Sequence, residues 1–169
     1  MAPDPLSFVA GPLASADCNG GIRDPLRWLM AHSGGSKPLA VARLTTPVAL
    51  TTSLFTACTF DTTLVNRGGM LSGGTMVAPE DGVYVFHASV SVESTVGNKE
   101  TRLAVDADET AWIAADNRYG IATPAAARMS CSGLYQLTAG QSVDVMVFSD
   151  APSPGNVDGG VFAAMWVGL

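Results

Sequence analysis

Few side chains in this sequence are equipped for chemistry. It holds two histidines, His32 and His87, and three cysteines, Cys18, Cys58 and Cys131. No C-x-x-C pair occurs and no histidine stands at metal-ligand spacing from a cysteine, so a zinc site is not expected. Cys58 and Cys131 suit buried thiols, and in an oxidising compartment they could instead pair. His87 falls on the polar side of an alternating segment, between Val85 and Ser89, which predicts an exposed or cross-strand-bonded imidazole rather than a general base. No G-x-S-x-G elbow supports a Ser/His/Asp triad, and no catalytic residue is assigned. Asp106, Asp108 and Glu109 alternate near a turn. Oxygen-rich loops suit calcium, but D-x-D-E lacks the fixed spacing of a calcium loop. Asp106 and Asp108 are therefore weak calcium candidates, with a solvated loop as the alternative, and no other cofactor is expected.

Recognition fits the residue types better than catalysis. Trp112, Asn117, Arg118 and Tyr119 lie in the stretch Ala107–Pro124, which reads as loop-rich, and aromatic and Arg side chains are the types that carry energy at contacts. Rings that stack on apolar sugar faces beside planar acceptors for hydroxyls suit a glycan. The plainer alternative makes Trp112 and Ile113 a core strand and the rest its turn.

The elements that would position these residues are strands. From Lys37 onward, short apolar runs alternate with turn residues: Leu39–Leu44, Leu54–Phe60, Thr75–Val77, Val83–Val92, Arg102–Val105, Ala111–Ile113, Ala127–Tyr135, Val143–Phe148 and Val161–Val167. The clearest is entered through Pro79 and Asp81-Gly82. There Tyr84, Phe86, Ala88, Val90 and Val92 point one way and His87, Ser89 and Ser91 the other. Eight or nine strands without crossover helices predict two antiparallel sheets, a β-sandwich of jelly-roll type. The last strand is apolar on both sides, with Phe162, Ala164 and Trp166 on one and Val161, Ala163, Met165 and Val167 on the other. Burial on both sides follows, against a neighbouring subunit or against a loop of the same chain. Met146 and Phe148 extend the same argument to the preceding strand. These two, with Val161, Ala163, Met165 and Val167, form the candidate subunit interface.

Composition agrees with association. Charged residues are 14% of the chain and hydrophobic residues 47%, against roughly 25% charged in an ordinary soluble protein. No apolar run approaches the ~20 residues of a membrane-spanning helix. A net charge of −6, with no Lys/Arg cluster, argues against nucleic acid and anionic lipid as partners. Arg outnumbers Lys, and Ala, Gly, Val, Thr, Asp and Pro dominate, a bias associated with GC-rich genomes such as those of actinobacteria and their phages. Residues 1–36 read as a separate arm before a domain over 37–169. The first eighteen lack a basic start and are broken by Pro3, Pro5 and Pro12, so no signal peptide is expected. Asp24 could cap a short helix with Pro25 at its first position. A helix of that length needs a docking surface, which makes Leu26, Trp28, Leu29 and Met30 candidate anchoring residues; docking on its own domain is the alternative.

Four segments carry a family resemblance. Gly74-Thr75-Met76-Val77-Ala78-Pro79-Glu80-Asp81-Gly82-Val83-Tyr84-Val85-Phe86 resembles the G-x-F-x-x-P-x-x-G-x-Y-x-F signature of complement component 1q globular heads and their tumour-necrosis-factor-like relatives, with Met76 in place of Phe. Upstream, Phe55–Phe60 followed by Asn66-Arg67-Gly68-Gly69 is similar to the family's preceding strand and turn. Gly133-Leu134-Tyr135-Gln136-Leu137-Thr138-Ala139-Gly140-Gln141-Ser142-Val143 is similar to its L-x-L-x-x-G-D-x-V element, with Gln141 for Asp, and Gly160–Val167 resembles the terminal T-F-S-G-F-L-L strand, with Ala164 for Gly. The resemblance covers residues 37–169. It implies a jelly roll assembling as a homotrimer with the last strand at the three-fold axis. Animal members are carried on collagen stalks, and this chain has no G-X-Y repeat. A short arm on such a head fits phage fibres and tail tips. The expectation is a noncatalytic virion component, assembled in the host cytoplasm, that joins other virion proteins through residues 1–36 and contacts a host-surface glycan. A capsid decoration or head-fibre protein, and a bacterial surface or secreted binding module, are the alternatives.

Overall fold

The computed structural model describes residues 37–93, 100–108, 111–119, 127–152 and 154–168. The arm, with Leu26, Trp28, Leu29, Met30, His32 and Cys18, lies outside the described residues, as does Glu109. Twelve strands follow one another: β1 Leu39–Leu44, β2 Val48–Ala49, β3 Phe55–Ala57, β4 Thr62–Arg67, β5 Leu71–Ser72, β6 Thr75–Val77, β7 Gly82–Val92, β8 Glu100–Ala107, β9 Ala111–Tyr119, β10 Ala127–Leu137, β11 Ser142–Ser149 and β12 Asn156–Gly168. None of the described residues is helical.

The strands form two antiparallel sheets. The first runs β10-β7-β12-β1-β4, with β2 beside β12, and the second runs β5-β6-β11-β8-β9, with β3 beside β11. Apart from the β5–β6 and β8–β9 hairpins, neighbours in each sheet are distant in sequence, which is the jelly-roll arrangement. Strict alternation in β7 sends Tyr84, Phe86, Ala88, Val90 and Val92 into the interior. Phe162 and Ala164 of β12, and Val143, Val145 and Val147 of β11, meet them there. Tyr84, Phe86, Phe162 and Phe60 form a chain of ring contacts, with centroids 5.6–6.3 Å apart.

The turn before β7 is built from the signature residues. Gly82 has φ of +151° and a Cβ there would run into the Trp166 indole, so glycine is required. The indole Nε1–H donates to the Asp81 carbonyl at 3.2 Å, and the Tyr84 hydroxyl donates to the Glu80 carbonyl at 2.7 Å. Met76 occupies the interior at 1% exposure, filling the space expected of Phe with a flexible side chain.

The sheets close on each other where β9 meets β10. A Cβ on Gly133 would stand 2.7 Å from the Ile113 carbonyl, so the bare backbone permits the approach. The Asp116 carboxylate accepts from the Ser130 N–H at 3.2 Å.

Several boundaries differ from expectation. Leu54–Phe60, read as one strand, is β3 alone with a connection to β4, a strand not expected there that ends on the first two residues of the Asn66–Gly69 turn. Residues 111–119 are a nine-residue strand instead of a short strand and a loop. β12 begins at Asn156, inside residues 150–160, which Pro152, Pro154, Gly155, Gly159 and Gly160 make read as a loop.

Candidate functional site: the two outer faces

Each sheet turns one face to the core and one away, and register decides which exposed side chains share a surface. On the outer face of the first sheet, Leu134, Val85, Met165, Leu39 and Arg67 stand side by side across five strands. The next row carries Ser132, His87, Ala163, Val41 and Val65. Leu134 is 64% exposed and Met165 44%. The outward side of β12 is thus left open, and among the described residues no loop covers it.

His87 sits within this face. Its Nδ1 and the Ser132 Oγ, on directly opposed residues, are hydrogen-bonded at 2.8 Å. This is the cross-strand bonding expected from alternation, and no carboxylate completes a triad among the described residues.

The outer face of the second sheet is aromatic. Phe55 of β3 touches Phe148 of β11, with centroids 5.2 Å apart, and meets Trp112 of β9 edge-on at 5.3 Å. Ala104 beneath is 1% exposed. The Arg102 guanidinium lies 5.4 Å from the Phe148 ring centre, a cation–π distance. It also forms a bidentate pair with Glu100 at 2.8 and 2.9 Å, and Asn117 Nδ2 donates to the same carboxylate at 2.6 Å. These donors, the Arg102 fork first, hold the Glu100 carboxyl below its usual range.

Two of the expected groupings are redrawn by this geometry. Met146 and Phe148 project from the second sheet, while Val161, Ala163, Met165 and Val167 project from the first, so the six residues do not form one surface. The alternation of β11 hides this, because which sheet a strand joins is not written in its own residues. Trp112, Asn117 and Tyr119 share the outer face of β9, with Trp112 at 55% and Tyr119 at 71% exposure. Arg118 points the other way and pairs with Asp116 at 3.1 Å. These residues stand on a strand and not in a loop.

Sequence reasoning missed Phe55, Glu100 and Arg102 on the second face, and Leu134, Val85, Leu39 and Val41 on the first. Leu134 had a signal, as the apolar residue on the polar side of β10.

The calcium candidates diverge. Asp106 is buried in β8, whereas Asp108, at φ of +48°, accepts from the Ser142 N–H at 2.8 Å and hydroxyl at 3.0 Å. Those bonds lower its pKa. Among the described residues no three His, Cys, Asp or Glu side chains gather as metal ligands. Cys58 and Cys131 are free and buried; burial pushes their thiols up to about 12 and about 11, so both stay protonated.

The two sheets, their strand order and the turn before β7 define an antiparallel jelly-roll sandwich of the complement 1q type. Among solved structures it is similar to the globular domain of zebrafish complement 1qA protein, with a TM-score of 0.55 at 18% identity, covering 78% of this chain and 98% of that one. No protein-family model matches the chain, and neither does any curated sequence.

Proposed function

We propose that the chain is a noncatalytic binding module that works as a homotrimer, with copies meeting through the outer face of the first sheet. The observation that carries this is the continuous row Leu134–Val85–Met165–Leu39, apolar across four strands and open in the single chain. Contiguous exposed apolar surface of this kind marks an interaction site, and Ala163 in the adjacent row lets a second backbone approach closely. The second sheet, on the far side of each sandwich, then stays outward, presenting Trp112 and Tyr119 beside Asn117 and Glu100. An exposed ring flanked by planar hydrogen-bonding groups fits a glycan.

The setting we infer is a phage virion, on the tail tip, fibre or capsid, with residues 1–36 joining other virion proteins. The supporting observations are the GC-associated composition and the low charge.

Light scattering on the full chain tests the assembly. The expected mass is three times the 17.4 kDa of one chain, falling to one chain in Met165→Asp, which buries a carboxylate in the apolar row. A monomeric wild type overturns the reading.

A further inference from the structure

At the other end of the first sheet's outer face, the apolar rows give way to a depression of about 320 Å³ lined by Arg43, Ser89, Ser91, Arg128, Gly159 and Val161, among others. Register explains how it forms. Arg128 of β10 stands opposite Ser91 of β7, which stands opposite Gly159 of β12, while Ser89 stands opposite Val161 and Val161 opposite Arg43 of β1. The two arginines thus flank the hollow from strands three spacings apart, roughly 14 Å, with the serines between them. Gly159 contributes no side chain, and a Cβ there would touch only the Leu44 carbonyl, at 3.5 Å. The floor is open because that residue is glycine.

The charges are unusual for this chain. It carries net −6 with only nine basic residues, yet two of them face one hollow, and among the described residues neither Arg43 nor Arg128 forms an ion pair. Asp158, exposed in the bulge beside Gly159, pairs with neither. Both guanidinium groups are thus available to an anion lying between them.

We propose that this depression binds a phosphate or sulfate group. Arginine forks match oxyanions bidentately. A tetrahedral oxyanion offers oxygens to both arginines on opposite walls and to the serine hydroxyls below, whereas a carboxylate offers two oxygens in one plane. The hollow is wider than a bare ion, so the group can be free or carried as an ester on a small molecule such as a sugar. Gly159 lies about 20 Å along β12 from Met165, so the hollow is distant from the apolar row, with Val161 on the wall between them, and it is independent of the glycan reading of the second sheet.

The test is calorimetric titration of the full chain, prepared without phosphate, with sodium phosphate, sodium sulfate, glucose 6-phosphate and galactose 6-sulfate, at constant ionic strength against chloride. Saturable binding is expected, weakened at least tenfold by Arg43→Gln or Arg128→Gln and unchanged by Lys37→Gln, which does not line the hollow. Esters binding more tightly than the inorganic ions assign the site to a phosphorylated or sulfated sugar; equal binding assigns it to the free ion. No saturable binding, or equal binding by the arginine variants, overturns the proposal. Loss of oligomer mass in those variants with no change in titration also overturns it, because the arginines then meet a carboxylate of a second copy.

Discussion

Phe86 is the side chain on which the interior depends most directly. It is fully buried and stacks on Tyr84 at 6.2 Å and on Phe162 at 6.3 Å, joining residues of β7 to the next strand of the sheet. Removing the ring forfeits its transfer from water and leaves a cavity that neighbours on rigid strands fill only in part. Phe86→Ala is expected to lower stability by about 3–5 kcal/mol, read as a lower urea midpoint with an unchanged slope. Phe148→Ala provides the contrast. That ring lies on the outer face of the second sheet with Phe55 and Arg102, so its loss costs less. Both residues look alike in the sequence, as single phenylalanines in apolar runs, and only their parity within the strand separates them. Parity was legible for Phe86 and for the Val143–Val147 series; the sheet that β11 joins was not, and so Met146 and Phe148 were grouped with side chains on the opposite face.

At the scale of elements, the β1–β4 pair has a local clamp. After Leu44 the chain touches β12 again at Val48–Ala49, crosses to the second sheet at β3, and returns beside β1 at Thr62, opposite Arg43. Asp61 closes the gap: its carboxylate accepts from the Thr45 N–H at 2.9 Å, the Thr45 hydroxyl at 2.8 Å and the Thr46 N–H at 2.7 Å. The hydroxyl and amide donors of Thr46 and Thr45 push the Asp61 pKa far below its ordinary value. A carboxyl depressed on folding contributes stability that is present above its unfolded pKa, near 4, and is lost as pH falls toward the folded value. Asp61→Asn is therefore expected to lower the melting temperature at pH 7, and the difference from wild type should narrow steadily below pH 4. A difference independent of pH would show that the charge is not what matters. None of this clamp was legible beforehand, because Asp61 and Thr45 are sixteen residues apart and nothing in either segment announces the other. β4 itself escaped notice for a related reason: TTLVNR lies at a sheet edge, has little core to face, and runs into Gly68-Gly69. β9 escaped because the register shift opposite Val105 and Asp106 resets its alternation partway, so Trp112 and Asn117 share a face despite an odd spacing. Where a strand has one continuous core face, as in β7, alternation placed it within a residue.

For the whole molecule, the issue is whether the apolar row on the first sheet makes folding and assembly one process. If three copies bury Leu134, Val85, Met165 and Leu39 against one another, the folded state gains by mass action, since the unfolded chain is a monomer. A tenfold rise in protein concentration then favours each folded subunit by two-thirds of RT ln 10, about 0.9 kcal/mol. For a head of this size that raises the melting temperature by about 3 °C. Scanning calorimetry at two concentrations a hundredfold apart should therefore separate the transitions by about 6 °C. Met165→Asp should melt lower and at a temperature independent of concentration, because a carboxylate in the row costs more to desolvate than the contact returns. The same substitution on the second sheet, Met146→Asp, should leave the concentration dependence intact, since that face points away from the row. A wild-type transition that does not move with concentration would mean that each head is stable alone, and the open row would then have to meet a partner other than its own copies.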